Sequence, residues 1–180
     1  MRINSISIMS RDTLDFELEV NKQITVFCGK HAGLALDLIR EVLGDKTAKN
    51  DPDSTCDGKF VIHSDIEIDN KNYGICYIRN ADFMGDNRIG VNFTPNSIDY
   101  SLTDTEEFLK IRDKGIIKTA YNPSDLIISD DNTPIFLYCS DKNELDEAIT
   151  YLSSCRCQVF IAIESGCATV DCENVRTVNI

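Results

Sequence analysis

The chain reads as an α/β protein: a mainly parallel core sheet with flanking helices and an antiparallel β subdomain at one edge. Three stretches predict this class. Ile24 to Cys28 is a continuous apolar run, and after Gly29 the pattern changes to that of an amphipathic helix. Pro134 to Tyr138, Leu145 to Ser153 and Gln158 to Ile163 give strand, helix and strand in close succession. Short apolar strands bracketing a helix imply parallel pairing, because two parallel neighbours need a crossover between them. Residues 59–93 alternate apolar and polar side chains around turn residues, as an antiparallel meander does.

Taken in order, Arg2 to Ile8 and Leu14 to Val20 both alternate, with Met9 to Thr13 as a hairpin turn between them. Ile24 to Cys28 has no polar face and predicts a strand buried on both sides. The helix from about Gly33 carries Leu34, Leu36, Leu38, Ile39, Val42 and Leu43 and stops at Gly44. Lys46 to Gly58 is polar connection. The meander follows as Lys59 to His63, Asp65 to Ile68 and Tyr73 to Ile78, turning at Asn70 to Asn72, with Ile89 to Phe93 as a further strand.

Thr103 to Glu106 has the form of a capping box ahead of Phe108, Leu109 and Ile111, and this helix should end near Gly115. Turns around a short strand at Leu126 to Ile128 lead to the strand–helix–strand unit. Asn174 to Ile180 closes the chain as a weaker alternating strand. The sequence contains no internal repeats.

At 180 residues the chain is sized for a single domain, 1–180, within which 59–93 forms the β subdomain. Its net charge of -12 repels phosphate backbones and argues against nucleic-acid binding. Residues 1–20 alternate and carry acids, unlike a signal or transit peptide. No apolar run reaches the length of a membrane span. A soluble, cytoplasmic protein is expected, with its eight cysteines as reduced thiols.

The chemistry-bearing stretch is Gly29-Lys30-His31-Ala32-Gly33-Leu34-Ala35-Leu36. A strand, a glycine loop and a helix N-terminus make an anion site from backbone N–H groups, as in a phosphate-binding loop. A working loop reads G-x-x-x-x-G-K-[S/T]. Aligned on Gly29, its second glycine becomes Leu34, its lysine Ala35 and its hydroxyl residue Leu36. The scaffold is present without its catalytic side chains.

Together these segments resemble the nucleotide-binding domain of ABC-type ATPases, particularly the SMC-like branch, and so a P-loop NTPase-like fold. The N-terminal hairpin, strand and loop resemble that family's opening. Pro134 to Asp146, PIFLYCSDKNELD, is similar to its LLLDEPxxxLD segment, with Leu145-Asp146 at the D-loop Leu-Asp. Gln158 to Ser165, QVFIAIES, resembles the strand that ends in the switch histidine. The resemblance places the Walker-B aspartate on Cys139, the water-polarising glutamate on Ser140 and the switch histidine on Glu164. No LSGGQ-like signature precedes Pro134.

Phosphoryl transfer depends on a metal, a lysine and a positioned water, and the residues supporting each have changed. The resemblance therefore implies a pseudoenzyme with no catalytic residues, no metal and no resident cofactor. Its expected role is a binding or regulatory module for a protein partner: a second copy or an intact ATPase. The alternative is an atypical loop that still holds ATP or GTP, with Mg²⁺, through backbone N–H groups and Lys30.

Other constellations are weaker. Bulky Leu34 and Leu36 should close the old pocket. Cys155-x-Cys157 with Cys167 and Cys172 lacks the paired C-x₂-C of zinc sites and reads as structural thiols. Cys28 and Cys139 end two strands that are neighbours in the family's sheet, so they are expected close together. A Cys–His nucleophile would need His31 or His63 beside such a thiol. Asp130-Asp131 and Asp104 to Glu107 read as turn and helix-start residues.

Overall fold

The computed structural model describes residues 1–10, 14–45, 59–80, 88–92, 102–112, 117–120, 123–126, 132–164 and 173–180. Two five-stranded sheets make up its frame. The strands are β1 (Arg2–Met9), β2 (Asp15–Glu19), β3 (Ile24–Cys28), β4 (Lys59–Ile68), β5 (Lys71–Asn80), β6 (Arg88–Asn92), β7 (Lys118–Ala120), β8 (Ile135–Cys139), β9 (Val159–Ile163) and β10 (Val175–Asn179). The helices are α1 (Ala32–Val42), α2 (Leu102–Arg112) and α3 (Lys142–Leu152).

Strands β10-β3-β9-β8-β7 form an all-parallel sheet, as the apolar runs predict. Strands β3 and β9 are buried along their whole length, which explains why neither alternates. Their neighbours on both sides are strands, and both faces are covered. One face presents Phe27, Phe136, Phe160 and Ala162 toward α1. The other presents Val26, Leu137 and Ile161 toward Leu145, Ala148 and Leu152 of α3.

The second sheet, β2-β1-β4-β5-β6, is antiparallel throughout. The β subdomain was expected at one edge of the core sheet, and this is corrected. It is a separate sheet across α1, and its Ile6, Ile8, Ile62 and Ile75 join α1 in one core. It also takes in the N-terminal hairpin, because β1 pairs with β4 as well as with β2. Pairing with β4 leaves the apolar positions of β1 on the core side.

Several boundaries differ from expectation for local reasons. The two short strands before residue 69 are one strand, since Ser64 turns its hydroxyl onto the Ser5 carbonyl at 2.8 Å. The hairpin turns on Asp69 and Asn70, both at positive φ (51° and 62°), with Lys71 already paired to Ile68. Two residues in that conformation match a type I′ turn.

Helix α2 begins at Leu102, so Thr103 is not its cap; Thr105 instead accepts from the Val91 N–H at 3.1 Å. Helix α3 starts three residues earlier than its apolar pattern, because Asp141 caps it by accepting from the Asn143 and Glu144 N–H groups. Strand β7 was not foreseen, and at three residues it is too short to show a period. Pro123–Asp125 is a 3₁₀ turn, and of the strand expected at Leu126 to Ile128 only Leu126 is described. The Met9–Thr13 turn, the 46–58 connection and the Gly115 helix end lie wholly or largely outside the described residues.

Helix α1 sits between the two sheets, and seven of its eleven residues are buried. One of them is Arg40, at 0% exposure. Its guanidinium donates to Asp45 Oδ2 from Nε (2.9 Å) and Nη2 (2.6 Å), and from Nη1 to Asp37 Oδ1 (3.0 Å) and the Tyr138 hydroxyl (2.7 Å). Tyr138 in turn donates to Asp37, and Thr119 donates to Asp45 at 2.9 Å. A buried charge survives only when paired and fully hydrogen-bonded, and here one residue ties α1 to β7 and β8. Burial nonetheless holds the Asp37 carboxyl above its usual range, against the opposing pull of Tyr138 and Arg40.

Removing Arg40 leaves two carboxylates without their cation. Arg40→Met should lower stability by about 3–5 kcal/mol, as for other broken buried pairs. Arg40→Lys should lose less, since one ammonium keeps the charge but cannot span both aspartates. Urea unfolding with an unchanged slope reads both; a loss under about 1 kcal/mol for Arg40→Met would count against the network.

Candidate functional site

The parallel sheet has a switch point between β3 and β9. After β3 the chain passes through α1 and eventually reaches β7 at one edge, whereas after β9 it crosses to β10 at the other. Ligands of open α/β sheets bind where such connections diverge, beyond the carboxyl ends of the strands. Gly29 follows β3 and Glu164 follows β9, so two separated sequence segments meet here. The Gly29 N–H donates to the Ile163 carbonyl at 3.0 Å, locking the two strand ends together.

Between β3 and α1 lie only Gly29, Lys30 and His31. The helix starts at Ala32, whose N–H donates to the Gly29 carbonyl at 3.1 Å, one residue before the expected Gly33. His31 is the N-cap residue and makes no side-chain cap bond, while Lys30 is exposed. Gly33 and the three following residues are already helical. Ala32, Ala35 and Leu36 are at 0% exposure, and Leu34 packs partly buried against the same core. The positions that would carry lysine and hydroxyl in a working loop are thus side chains of a two-sided core.

Two of the protein's own groups close on the loop. The main chain of Ile180 runs against Gly29, with its N–H donating to the Cys28 carbonyl at 2.8 Å. Gly29 has φ +121°, and a Cβ there would lie 2.1 Å from the Ile180 oxygen, so only glycine fits. A Cβ on Gly33 would lie 3.0 Å from Glu164 Oε1. The carboxylate of Glu164 therefore stands at the first turn of α1, where the helix dipole and N–H groups favour an anion.

The remaining positions are dispersed. Cys139 is buried at the end of β8, and burial, helped by Glu144 and Asp141, pushes its thiol up to about 12. A thiol so protonated is a poor ligand and a poor nucleophile. The exposed Ser140 N–H donates to Glu144 Oε2 at 2.7 Å, serving the start of α3. Leu145 is buried under the sheet, and Asp146 pairs with Lys142 at 3.1 Å on the exposed side of the helix.

Cys28 and Cys139 are not on neighbouring strands: Cys28 pairs with Ile163 and Ile163 with Cys139, so β9 separates them. The chain order placed β3 and β8 on central strands but did not say which strand inserts between them. Cys28 is also disulfide-bonded, which corrects the expectation that every cysteine is a free thiol and removes it as a nucleophile beside His31. The expectation rested on compartment, which does not decide which sulfurs the fold brings together. His63 lies on β4 in the other sheet. Cys139, Cys155 and Cys157 are free thiols.

Among the described residues no group of three or more His, Cys, Asp or Glu is arranged to hold a metal ion. No helix among them is long and apolar enough to cross a membrane. Cys167 and Cys172, Asp130 and Asp131 lie outside the described residues; Asp104 to Glu107 lie within α2.

One feature at the opposite end of the strands carries no sequence motif. A polar cavity of about 620 Å³ opens there, lined by Arg2, Lys22, Glu67, Asp69, Arg156 and Cys157 among others. Its residues come from five distant segments, so no local spacing announces it.

Against models of known protein families the chain finds no match, and it matches no curated protein.

The raised Cys139 thiol gives a pH signature. Unfolded cysteine ionises near about 8.5, whereas the folded thiol stays protonated to about 12. The stability this contributes is fully present below the unfolded value and is lost as pH climbs toward the folded one. The urea midpoint should fall across this alkaline window, and Cys139→Ala should shallow the decline. Identical pH slopes in the two proteins would remove Cys139 as a contributor.

Proposed function

We propose that this chain is an ATPase-like domain of the ABC/SMC type, with a P-loop NTPase-like core, that does not hydrolyse nucleotide. It acts as a binding or regulatory module for a protein partner, either a second copy of itself or an intact ATPase. In support, a strand–glycine–helix unit stands at the switch point of an all-parallel sheet, and a strand–helix–strand unit follows it through β8, α3 and β9.

The observation that carries the non-hydrolytic reading is the Glu164 carboxylate at the first turn of α1. A helix N-terminus favours an anion by about 0.3–1 kcal/mol. A like charge about 4 Å away opposes it by about 1 kcal/mol in water and about 4 kcal/mol near a protein surface. Repulsion therefore meets or exceeds the attraction that a phosphate would find. Lys30 is a cation within the loop, but Leu36 is core, and Cys139 is a neutral thiol where a metal would need a carboxylate. A surface of net charge -12 suits a partner with a basic face.

Thermal unfolding in the presence of Mg-ATP, Mg-GTP and their diphosphates tests the nucleotide half of this reading. The midpoint should not move at millimolar nucleotide, because only a ligand bound to the native state stabilises it. A rise that saturates with nucleotide would establish a retained site. Light scattering tests the partner half: self-association, or a complex with an intact ATPase that weakens as salt screens its charges. A strict monomer that binds no candidate ATPase would contradict it.

A further inference from the structure

We propose that Cys155 and Cys157 are a vicinal dithiol which a small-molecule disulfide oxidises to an intramolecular disulfide, making the turn between α3 and β9 a reversible modification site. The two sulfurs lie 3.4 Å apart, the Cys157 thiol donating toward Cys155 Sγ. A disulfide needs about 2.05 Å, so a modest rotation about the side-chain bonds closes the gap.

The turn holds the pair together from both flanks. The Cys155 N–H donates to the Leu152 carbonyl at 3.1 Å, and the Gln23 side-chain amide donates to the Cys155 carbonyl. Beyond Cys157, the Gln158 side chain accepts from the Ile3 N–H at 2.7 Å and donates to the Ile3 carbonyl at 2.8 Å. One sulfur is therefore presented to the other at high effective concentration.

Exposure assigns the order of events. Cys155 is partly exposed, whereas Cys157 is only 4% exposed and faces the polar cavity. Burial also raises the Cys157 thiol, so it stays protonated. Cys155 is the attacking sulfur and Cys157 the resolving one. Arg2, Lys22 and Arg156 line the cavity with Cys157 and favour an anionic disulfide such as glutathione disulfide, outnumbering the carboxylates of Glu67 and Asp69.

In the first step the Cys155 thiolate, its proton lost to solvent, attacks one sulfur of the small disulfide. The S–S bond breaks, a mixed disulfide forms on Cys155, and one thiolate leaves. Next, Cys157 Sγ, whose 3.4 Å approach to Cys155 Sγ offsets its protonation, attacks that sulfur and expels the second thiolate, which takes up the Cys157 proton. The two protein thiols lose two electrons in total, and the small disulfide is reduced to two thiols. Zinc is the competing occupant, but two sulfurs fall short of the four ligands of a structural site.

Arg156 between the cysteines supplies the readout. The full chain is reduced, exposed to millimolar glutathione disulfide, quenched, alkylated and cut with trypsin. Cleavage after Arg156 separates the two cysteines unless a disulfide joins them, and fragment-ion sequencing places the bond. The expected product links Cys155 to Cys157, with the loss of two hydrogens, and dithiothreitol reverses it. Cys157→Ser should stop at a stable mixed disulfide on Cys155, and Cys155→Ser should leave Cys157 unmodified. Before oxidation, Cys155 should alkylate at least about tenfold faster than Cys157.

A wild-type protein that accumulates the mixed disulfide, joins Cys155 to a different cysteine or resists oxidation would overturn the proposal. So would an equivalent of zinc that keeps both thiols unreactive until it is chelated. Nucleotide binding has no bearing on either result.

Discussion

One helix has to satisfy two sheets at once. Helix α1 lies between a parallel and an antiparallel sheet, so its apolar positions extend around most of its circumference. Its buried arginine is tolerated because Asp37, Asp45 and Tyr138 surround the guanidinium. This constraint reaches back to the helix start, where Ala32, Ala35 and Leu36 are already core. A lysine or hydroxyl at these positions would leave a polar group among apolar neighbours, at a cost of about 1–3 kcal/mol or more. Packing and phosphate chemistry therefore compete for the same residues, and here packing holds them.

The site follows from that competition. Main-chain groups still converge at the switch point, since the strand order brings Gly29 and Glu164 together whatever their side chains. What fills the convergence is the protein itself. Ile180 presses on Gly29 so closely that no Cβ fits, and the Glu164 carboxylate lies beside Gly33 in the first turn of α1. The proposed loss of hydrolysis is thus more than missing catalytic groups. It includes the protein's own groups beside the loop, the Ile180 main chain against Gly29 and an acidic side chain next to Gly33.

The parts of the fold legible in the sequence were those with a strong local period. Strands β3, β8 and β9 announced themselves as apolar runs because both of their faces are covered, and α1 and α3 through their apolar stripes. Long-range choices were not legible. Nothing local in β1 says that it pairs with β4 across more than fifty residues, and this choice separates the second sheet from the first. The capping box at Thr103 matched a pattern, yet α2 had already begun and Thr105 was engaged with Val91 instead. Nothing in the spacing of α1 singles out Arg40, whose burial depends on Asp45 and Tyr138 beside it. At the site, glycine spacing located the loop, but Glu164 became its neighbour only through the strand order.

The central claim is that the first turn of α1 is occupied by the protein's own groups and does not receive a nucleotide phosphate. Backbone amide NMR reads that turn directly. On titrating Mg-ATP into the ¹⁵N-labelled chain, the amides of Lys30, His31, Gly33 and Leu34 should stay where they are. A saturable shift concentrated on these four amides would contradict the account.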